Sequence, residues 1–214
     1  MTVTVFECAT FAKKAYGPAH APAVFELNGS WTEFCNYNVR TGAEQVVIRG
    51  WTRAGDTVIA VKGTSPTNLG DLASDEALTF RFTPSQVVPA RNVLEKALRY
   101  VPDTEVVLTG HSLGGNITQH LARSLGPERC TFVTFNSPGM ALHRDPAVSN
   151  GINIVDRWDQ IRRAGGTHYG RVYKLHTPFQ SPLGAHSMDG MLTKVKSDKI
   201  GPRTVRSAIQ LVEA

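Results

Sequence analysis

Hydrophobic residues along the chain form two kinds of pattern, which alternate in its second half. Short runs of apolar and β-branched residues predict strands, and apolar residues that recur about every three or four positions predict amphipathic helices. The predicted strands span residues 34–39, 45–52, 57–61, 104–109, 130–135, 152–158 and 171–175. The predicted helices span residues 6–16, 84–100, 113–125 and 202–213.

The order of these elements predicts an α/β fold. The first three strands follow one another without a helix between them, which favours antiparallel pairing on one side of the sheet. The later strands alternate with helices, which favours a mainly parallel sheet covered by helices on both faces. A length of 214 residues lies in the range of one domain, so we expect a single domain over residues 1–214.

No segment of the sequence predicts a membrane span or a cleavable leader. No apolar run approaches the roughly 18 residues that a membrane-spanning helix needs. Residues 1–7 lack the basic region and apolar core of a signal peptide. We therefore expect a cytoplasmic protein, or one that is exported by a non-classical route.

The formal net charge of +5 is modest. Basic residues near the C-terminal end are spread out and are not interleaved with aromatic residues: Lys194, Lys196, Lys199, Arg203 and Arg206. This pattern favours a solvated basic surface over nucleic-acid binding. A weak attraction to an anionic membrane surface is a further hypothesis.

The cysteine content argues against a cross-linked or zinc-bound protein. The three cysteines are odd in number, and they have no C-x-x-C spacing. We expect them to be buried free thiols: Cys8, Cys35 and Cys130.

The pentapeptide GHSLG at residues 110–114 has the form G-x-S-x-G, and it lies between a predicted strand and a predicted helix. This order is typical of the nucleophile elbow of α/β-hydrolases, in which flanking glycines let strand and helix pass close together. It predicts Ser112 as a nucleophile and the N–H group of Leu113 as a donor to a substrate oxyanion. We expect His111 to pack within the elbow rather than act as the base, because adjacent side chains point apart.

A nucleophilic serine needs an imidazole base oriented by a carboxylate, and in this fold the acid precedes the histidine in the chain. Two acids, Asp156 and Asp159, lie at the end of the strand predicted over residues 152–158. Strand alternation does not separate them, although Asp159 lies past the apolar run, where a loop is expected. His176 ends a predicted strand and His186 lies in a predicted loop, and the need to reach over the serine favours His186 as the base.

Residues 106–122, VVLTGHSLGGNITQHLA, resemble the strand and elbow of the class 3 lipases, the fungal-lipase branch of the α/β-hydrolases. Upstream, residues 58–64, VIAVKGT, are similar to that family's strand ending in F-R-G-T or F-R-G-S, with Lys62 in place of the usual arginine. The resemblance implies that Thr64 is the second oxyanion residue, acting through its hydroxyl and N–H groups.

The resemblance also assigns the acid and the base. Residues 155–161, VDRWDQI, are similar to the family's V-N-x-x-D-x-V run. This match implies that Asp159 is the catalytic acid and that Asp156 is not. His186 matches the histidine near the C-terminal end of family members, which implies that it is the base.

Residues 68–72, NLGDL, resemble the family's W-x-x-D-L stretch without its tryptophan. This implies that Asp71 orients the Thr64 hydroxyl. Beyond Asp71, residues 77–83 leave room for at most a short lid, unlike the long amphipathic lid of typical members. A short or absent lid argues against interfacial activation on triglyceride droplets and favours short-chain esters or accessible phospholipids.

The implied function is a serine-dependent carboxylic ester hydrolase that acts on ester or lipid substrates through an acyl-enzyme. Ser112 attacks, His186 transfers protons, Asp159 orients the imidazole, and Thr64 and Leu113 stabilise the oxyanion. No metal or organic cofactor is required by this chemistry. The alternatives are a phospholipase A1, a thioesterase, or a catalytically idle hydrolase-fold module that serves binding.

Overall fold

A computed structural model of the chain describes residues 2–18, 24–41, 44–63, 85–101, 105–140, 150–163, 165–178 and 180–212. Among these residues, a sheet of eight strands follows the order of the sequence from one edge to the other. Strands β1 to β4 pair antiparallel, and β4 to β8 pair parallel. The strands are β1 (Val24–Glu26), β2 (Ser30–Thr41), β3 (Glu44–Arg53), β4 (Asp56–Val61), β5 (Val106–His111), β6 (Cys130–Phe135), β7 (Gly151–Asp156) and β8 (Arg171–Leu175).

Helices cover both faces of this sheet. They are α1 (Val5–Lys14), α2 (Val87–Leu98), α3 (Leu113–Leu125), α4 (Pro182–His186), α5 (Met188–Ser197) and α6 (Val205–Leu211), and a short 3-10 helix spans Ile161–Arg163. None of these helices is long enough and apolar enough to cross a membrane.

Buried side chains form one hydrophobic core on each face. Helices α1, α5 and α6 contribute Phe11, Met191 and Val205 to the first core. Helices α2 and α3 contribute Leu94 and Leu121 to the second. Every residue of β5, β6 and β7 is buried, because parallel strands between two helical layers are covered on both sides.

Helix α1 is anchored at both its start and its apolar face. The N–H of Glu7 donates to the Thr4 hydroxyl at 3.2 Å, and the N–H of Thr4 donates to the Glu7 carboxylate at 2.8 Å, which is a capping box. Glu7 also forms a buried ion pair with Arg53 of β3. The rings of Phe11 and Trp31 pack edge to face with centroids 4.7 Å apart. These contacts fix the position of Tyr16, which follows the helix.

The carboxyl ends of the central parallel strands meet at one edge of the sheet. His111, the last residue of β5, pairs with Phe135, the last residue of β6, and Phe135 pairs with Ile154 of β7. Val61 at the end of β4 pairs with Gly110 of β5. The segments that follow these four strands therefore lie side by side, which is where α/β folds place their functional groups.

The α/β fold predicted from the sequence is confirmed, with antiparallel strands at one side, a parallel sheet beyond them and helices on both faces. The strands predicted over residues 130–135 and 171–175 coincide with β6 and β8, and the helix predicted over residues 113–125 coincides with α3. The expected buried free thiols are also found: Cys8, Cys35 and Cys130.

One local expectation was wrong, and strand β1 and helices α4 and α5 were not predicted. His186 does not lie in a loop but is the last residue of α4, and α5 begins two residues later. A single helical turn is too short to show a periodic pattern, and α4 is recognisable only by Pro182 at its first position and by the N–H of Gly184, which donates to the Ser181 hydroxyl at 3.2 Å. Strand β1 was missed as well, since it has three residues and none of them is fully buried. The prediction for residues 77–83 lies outside the described residues.

Candidate active site

Ser112 links β5 to α3 in a backbone conformation that few side chains adopt. Its φ is 55° and its ψ is −130°, and such a conformation costs a non-glycine residue about 1–3 kcal/mol. Two backbone hydrogen bonds hold the turn, from the Ser112 N–H to the carbonyl of Phe135 at 3.0 Å and from the Asn116 N–H to the carbonyl of Ser112 at 3.1 Å. A Cβ atom on Gly110 would lie 2.5 Å from the carbonyl oxygen of Gly114, so the close passage of strand and helix requires glycine there.

Three predicted site residues form a continuous hydrogen-bonded series. The Ser112 Oγ lies 2.9 Å from His186 Nε2, and His186 Nδ1 lies 3.0 Å from Asp159 Oδ2. The other Asp159 oxygen accepts the N–H of Ile161 at 2.9 Å, which fixes the carboxylate plane. All three side chains are at most 2% exposed. With a carboxylate beside it, Nδ1 carries the proton and Nε2 is free to accept one from the serine hydroxyl.

The alternative acid has other partners. One oxygen of Asp156 accepts hydrogen bonds from Lys194 Nζ at 2.6 Å and from the Thr177 hydroxyl at 3.1 Å. Its second oxygen accepts the N–H of Trp158 at 2.8 Å. Asp156 therefore forms a buried ion pair with Lys194 at the end of β7, whereas Asp159 contacts His186. The alternative base, His176, is exposed.

His111 is buried against His186. Its Nε2 lies 2.7 Å from the carbonyl oxygen of His186, its Nδ1 lies 3.1 Å from the hydroxyl of Tyr16, and the two imidazole centroids are 4.8 Å apart. Burial, with the nearby imidazole of His186 as a second cause, lowers the pKa of His111 to about 3. His111 is therefore neutral at physiological pH and packs within the elbow as expected from the sequence.

Asn136 was not singled out from the sequence, yet its side chain connects the backbone of Asp156 with that of Ala185, the residue before His186. It follows β6 with a φ of 45°. Its Nδ2 donates to the carbonyl of Ala185 at 2.7 Å, and its Oδ1 accepts the N–H of Asp156 at 2.8 Å. The available signal was its place directly after an apolar strand that neighbours the elbow strand. Tyr16 carried no such signal, because it approaches the site from the opposite end of the sequence.

The expected oxyanion donors are described in part. Leu113 is the first residue of α3, so its N–H belongs to the helix N-terminus beside Ser112, where the helix dipole favours negative charge. Thr64 and Asp71 lie outside the described residues. Gly63, the residue before Thr64, lies against the elbow, since a Cβ atom on it would be 3.1 Å from the N atom of Gly114.

This arrangement can perform nucleophilic substitution at a carbonyl carbon. It combines an acyl-accepting hydroxyl, a neutral imidazole acceptor, an orienting carboxylate and a helix N-terminus. Among the described side chains, no group of three His, Cys, Asp or Glu residues is placed to hold a metal ion.

Comparison with known proteins supports the fold through structure rather than sequence. No family model matches the chain, and no curated protein is significantly similar to it. The structure is similar to the Lip2 lipase from Yarrowia lipolytica, with a TM-score of 0.56 and 14% identity over 88% of this chain and 87% of that one. It is also similar to a deletion mutant of Rhizomucor miehei lipase in complex with its propeptide, with a TM-score of 0.55 and 13% identity over 91% of this chain and 77% of that one.

A lipase from Rhizopus microsporus var. chinensis aligns less completely, at 15% identity and a TM-score of 0.46 over 62% of this chain and 55% of that one. The two fuller matches confirm, at the level of the fold, the resemblance to fungal lipases that the elbow segment indicated. The chain has the α/β-hydrolase fold in the form that fungal lipases have.

Proposed function

We propose that this chain is a carboxylic ester hydrolase with Ser112 as nucleophile, His186 as general base and acid, and Asp159 as the orienting carboxylate. The observation that carries the proposal is the unbroken series of hydrogen bonds from the Ser112 hydroxyl through His186 to Asp159. The strained elbow at Ser112 supports it, because that turn places the serine hydroxyl beside His186 and at the N-terminus of α3.

The reaction follows from the protonation states. His186 Nε2 takes the hydroxyl proton as Ser112 Oγ bonds to the ester carbonyl carbon, and the C=O electron pair moves onto oxygen. The resulting imidazolium is stabilised by the Asp159 carboxylate. As the oxyanion electrons re-form the C=O bond, the ester C–O bond breaks, and the imidazolium gives its proton to the alkoxy oxygen, which leaves as the alcohol. Water then attacks the acyl-enzyme with His186 again accepting a proton, which releases the acid and restores the serine.

Oxyanion stabilisation is assigned to the Leu113 N–H and to Thr64, the latter on the sequence resemblance. A preorganised donor of this kind contributes about 2.7–4 kcal/mol to lowering the barrier in serine hydrolases. Leu113 begins a 13-residue helix, so its N–H is held rigidly before substrate arrives.

Acyl esters, including lipid esters, are the proposed substrates. The similar structures from Yarrowia lipolytica and Rhizomucor miehei are lipases, which supports the proposal of this substrate class. A panel of p-nitrophenyl esters of rising acyl length, run beside phospholipid vesicles, measures chain-length preference and tests for phospholipase activity.

The Ser112→Ala variant tests the function. It should lower kcat for p-nitrophenyl butyrate on the order of 10⁴- to 10⁶-fold and should no longer be labelled by a fluorophosphonate probe, because the proposed acyl-enzyme forms on the Ser112 hydroxyl. The Ser207→Ala variant, at the start of α6, is the matched control and should hydrolyse and label like the wild type. Labelling that persists in Ser112→Ala would move the nucleophile elsewhere. A wild-type protein that neither labels nor hydrolyses any ester would favour the idle binding module instead.

A further inference from the structure

A second hydrogen-bonded series lies beneath the first and ends on the backbone of the base. The backbone N–H of Gly63 donates to the hydroxyl of Tyr16. That hydroxyl lies 3.1 Å from His111 Nδ1, and His111 Nε2 lies 2.7 Å from the carbonyl oxygen of His186. The proposed reaction uses neither Tyr16 nor His111.

The contacts fix where each proton lies. A carbonyl oxygen can only accept, so His111 Nε2 must carry a proton and donate to His186. A neutral imidazole has one N–H, which leaves Nδ1 as an acceptor for the Tyr16 hydroxyl. Burial lowers the pKa of His111 to about 3 and raises the pKa of Tyr16, so both groups stay neutral across the range in which a serine hydrolase works.

The backbone that carries His186 needs such support. Helix α4 has only five residues, fewer than an isolated helix needs for stability, and the carbonyls of its last turn have no partners within the helix. Two successive carbonyls are held by side chains from the sheet edge. Asn136 donates to the carbonyl of Ala185 at 2.7 Å, and His111 donates to that of His186 at 2.7 Å.

Ring contact adds to the backbone bond. The imidazoles of His111 and His186 lie with centroids 4.8 Å apart and planes at 40°. The His186 ring is thus bounded by His111 on one side, while its two nitrogens face Asp159 and Ser112. A displacement of about 1 Å in a reacting group can lower the rate on the order of 100-fold. The contacts of His111 with His186 can therefore have a large effect on rate although they are few.

We propose that Tyr16 and His111 are positioning residues for His186. His111 holds the carbonyl and ring of the base, and Tyr16, at the end of α1, holds His111 in the one tautomer that can do so. Because this role presupposes that His186 is the base, it rests on the proposed ester hydrolase activity. The alternative is that the pair only fills the core.

Three variants separate these roles by kcat, KM and melting temperature. His111→Leu fills a similar space without a donor and should lower kcat about 10- to 100-fold with KM nearly unchanged. His111→Gln retains an N–H donor of similar reach and should recover most of that loss. Tyr16→Phe removes one oxygen atom and should lower kcat about 3- to 10-fold. Fluorophosphonate titration counts active sites, so that loss of folded protein is not taken for loss of rate.

Asn150→Ala is the matched control for loss of a buried bond. The Asn150 amide donates to the carbonyl of Cys130 at 2.5 Å. This bond lies at the amino ends of β6 and β7, whereas Ser112 follows the carboxyl end of β5. This variant should melt at a lower temperature and keep its kcat. Equal kcat losses in His111→Leu and Asn150→Ala would overturn the positioning role, as would equal losses in His111→Leu and His111→Gln. If His111→Leu does not fold, Tyr16→Phe decides, and a kcat equal to that of the wild type overturns the role.

Histidine NMR tests the positioning role by a measurement that does not require ester hydrolysis. In ¹⁵N-labelled wild type, His111 should be the neutral Nε2–H tautomer, and His186 should show a downfield Nδ1–H proton shared with Asp159. In His111→Leu, that downfield signal should shift or broaden. If the wild type hydrolyses no ester but the signal responds, the proposed function fails and the positioning contact stands. If the wild type hydrolyses esters and neither signal nor kcat responds, only the positioning role fails.

Discussion

At the scale of single residues, Asp156 and Asp159 differ in partners rather than in burial. Both are buried at the end of β7. Asp156 receives the Lys194 ammonium, the Thr177 hydroxyl and a backbone N–H, so its charge is neutralised within the fold. Asp159 receives a backbone N–H on one oxygen and the imidazole on the other. In the proposed mechanism, the imidazolium of His186 is therefore stabilised by Asp159 and not by Asp156.

Substitution of each acid by its amide should separate activity from stability. Asp159→Asn should lower kcat by about 10⁴-fold with little change in unfolding free energy, because it favours the wrong imidazole tautomer. Asp156→Asn should lower the unfolding free energy by about 3 kcal/mol, since Lys194 loses its charged partner in a buried site, and should change kcat much less. Steady-state kinetics and urea unfolding of the two variants are the measurements. A larger kcat loss in Asp156→Asn would assign the acid role to Asp156.

At the scale of elements, most site residues lie at or just after the carboxyl ends of β5, β6 and β7. Strands β5, β6 and β7 are buried along their length and place Ser112, Asn136 and Asp156 next to one another. His186, the proposed base, ends α4, and side chains from the sheet edge hold this short helix in place. The precision of the site therefore depends on the residues that clamp α4.

Asn136 offers a test of this dependence. Asn136→Gly removes both side-chain bonds while accepting the positive φ of 45°, so backbone strain is not added. We expect kcat to fall about 10-fold, because the carbonyl of Ala185 and the N–H of Asp156 lose their shared partner. The same substitution at Asn28, where φ is 50°, is the matched control in a turn remote from Ser112. Equal kcat values in the wild type and Asn136→Gly would show that α4 does not need this clamp.

Local rules predicted the elbow but not its supports. The turn at Ser112 requires glycine at fixed neighbouring positions, so its signature lies within five residues. The choice between Asp156 and Asp159 depends on Lys194, which lies 38 residues after Asp156 in the chain, and the strand pattern alone left it open. The family resemblance favoured Asp159, and Asp159 is the acid that contacts His186 in the structure. His186 was selected from the sequence as the candidate base. Helix α4 was not predicted, because a single helical turn is too short to show a periodic pattern of apolar residues.

At the scale of the whole molecule, the two cores on either side of the sheet bury ionisable groups along with apolar ones. Glu7 pairs with Arg53, and Asp56 also contacts Arg53. Burial raises the pKa of Asp56, but hydrogen bonds from Thr2 and Arg53 outweigh burial, so the pKa of this carboxyl is lowered. His111 is buried in neutral form, without a carboxylate as partner. Folding is therefore coupled to pH through groups far apart in the sequence.

His111 should make the protein less stable in acid. Its pKa is about 3 in the folded chain and about 6.5 in an unfolded one, so between these values the unfolded state binds a proton that the folded state does not. Unfolding free energy should then fall as pH is lowered through this window, by at most about 1.4 kcal/mol per pH unit from this residue. The contribution is fully present above the unfolded pKa and is lost by the time pH reaches the folded pKa.

Urea unfolding at a series of pH values between about 7 and 4 measures this slope. His111→Gln should show a shallower fall of unfolding free energy than the wild type, because it has no proton to bind in either state. His176 is exposed, and His176→Gln is the control with an expected slope equal to that of the wild type. If His111→Gln and the wild type lose stability in parallel, the acid sensitivity arises from other groups, of which His168 is the first candidate because burial lowers its pKa to about 4. His111 also contacts His186. The same substitution therefore affects both the stability of the fold in acid and the position of His186 in the site.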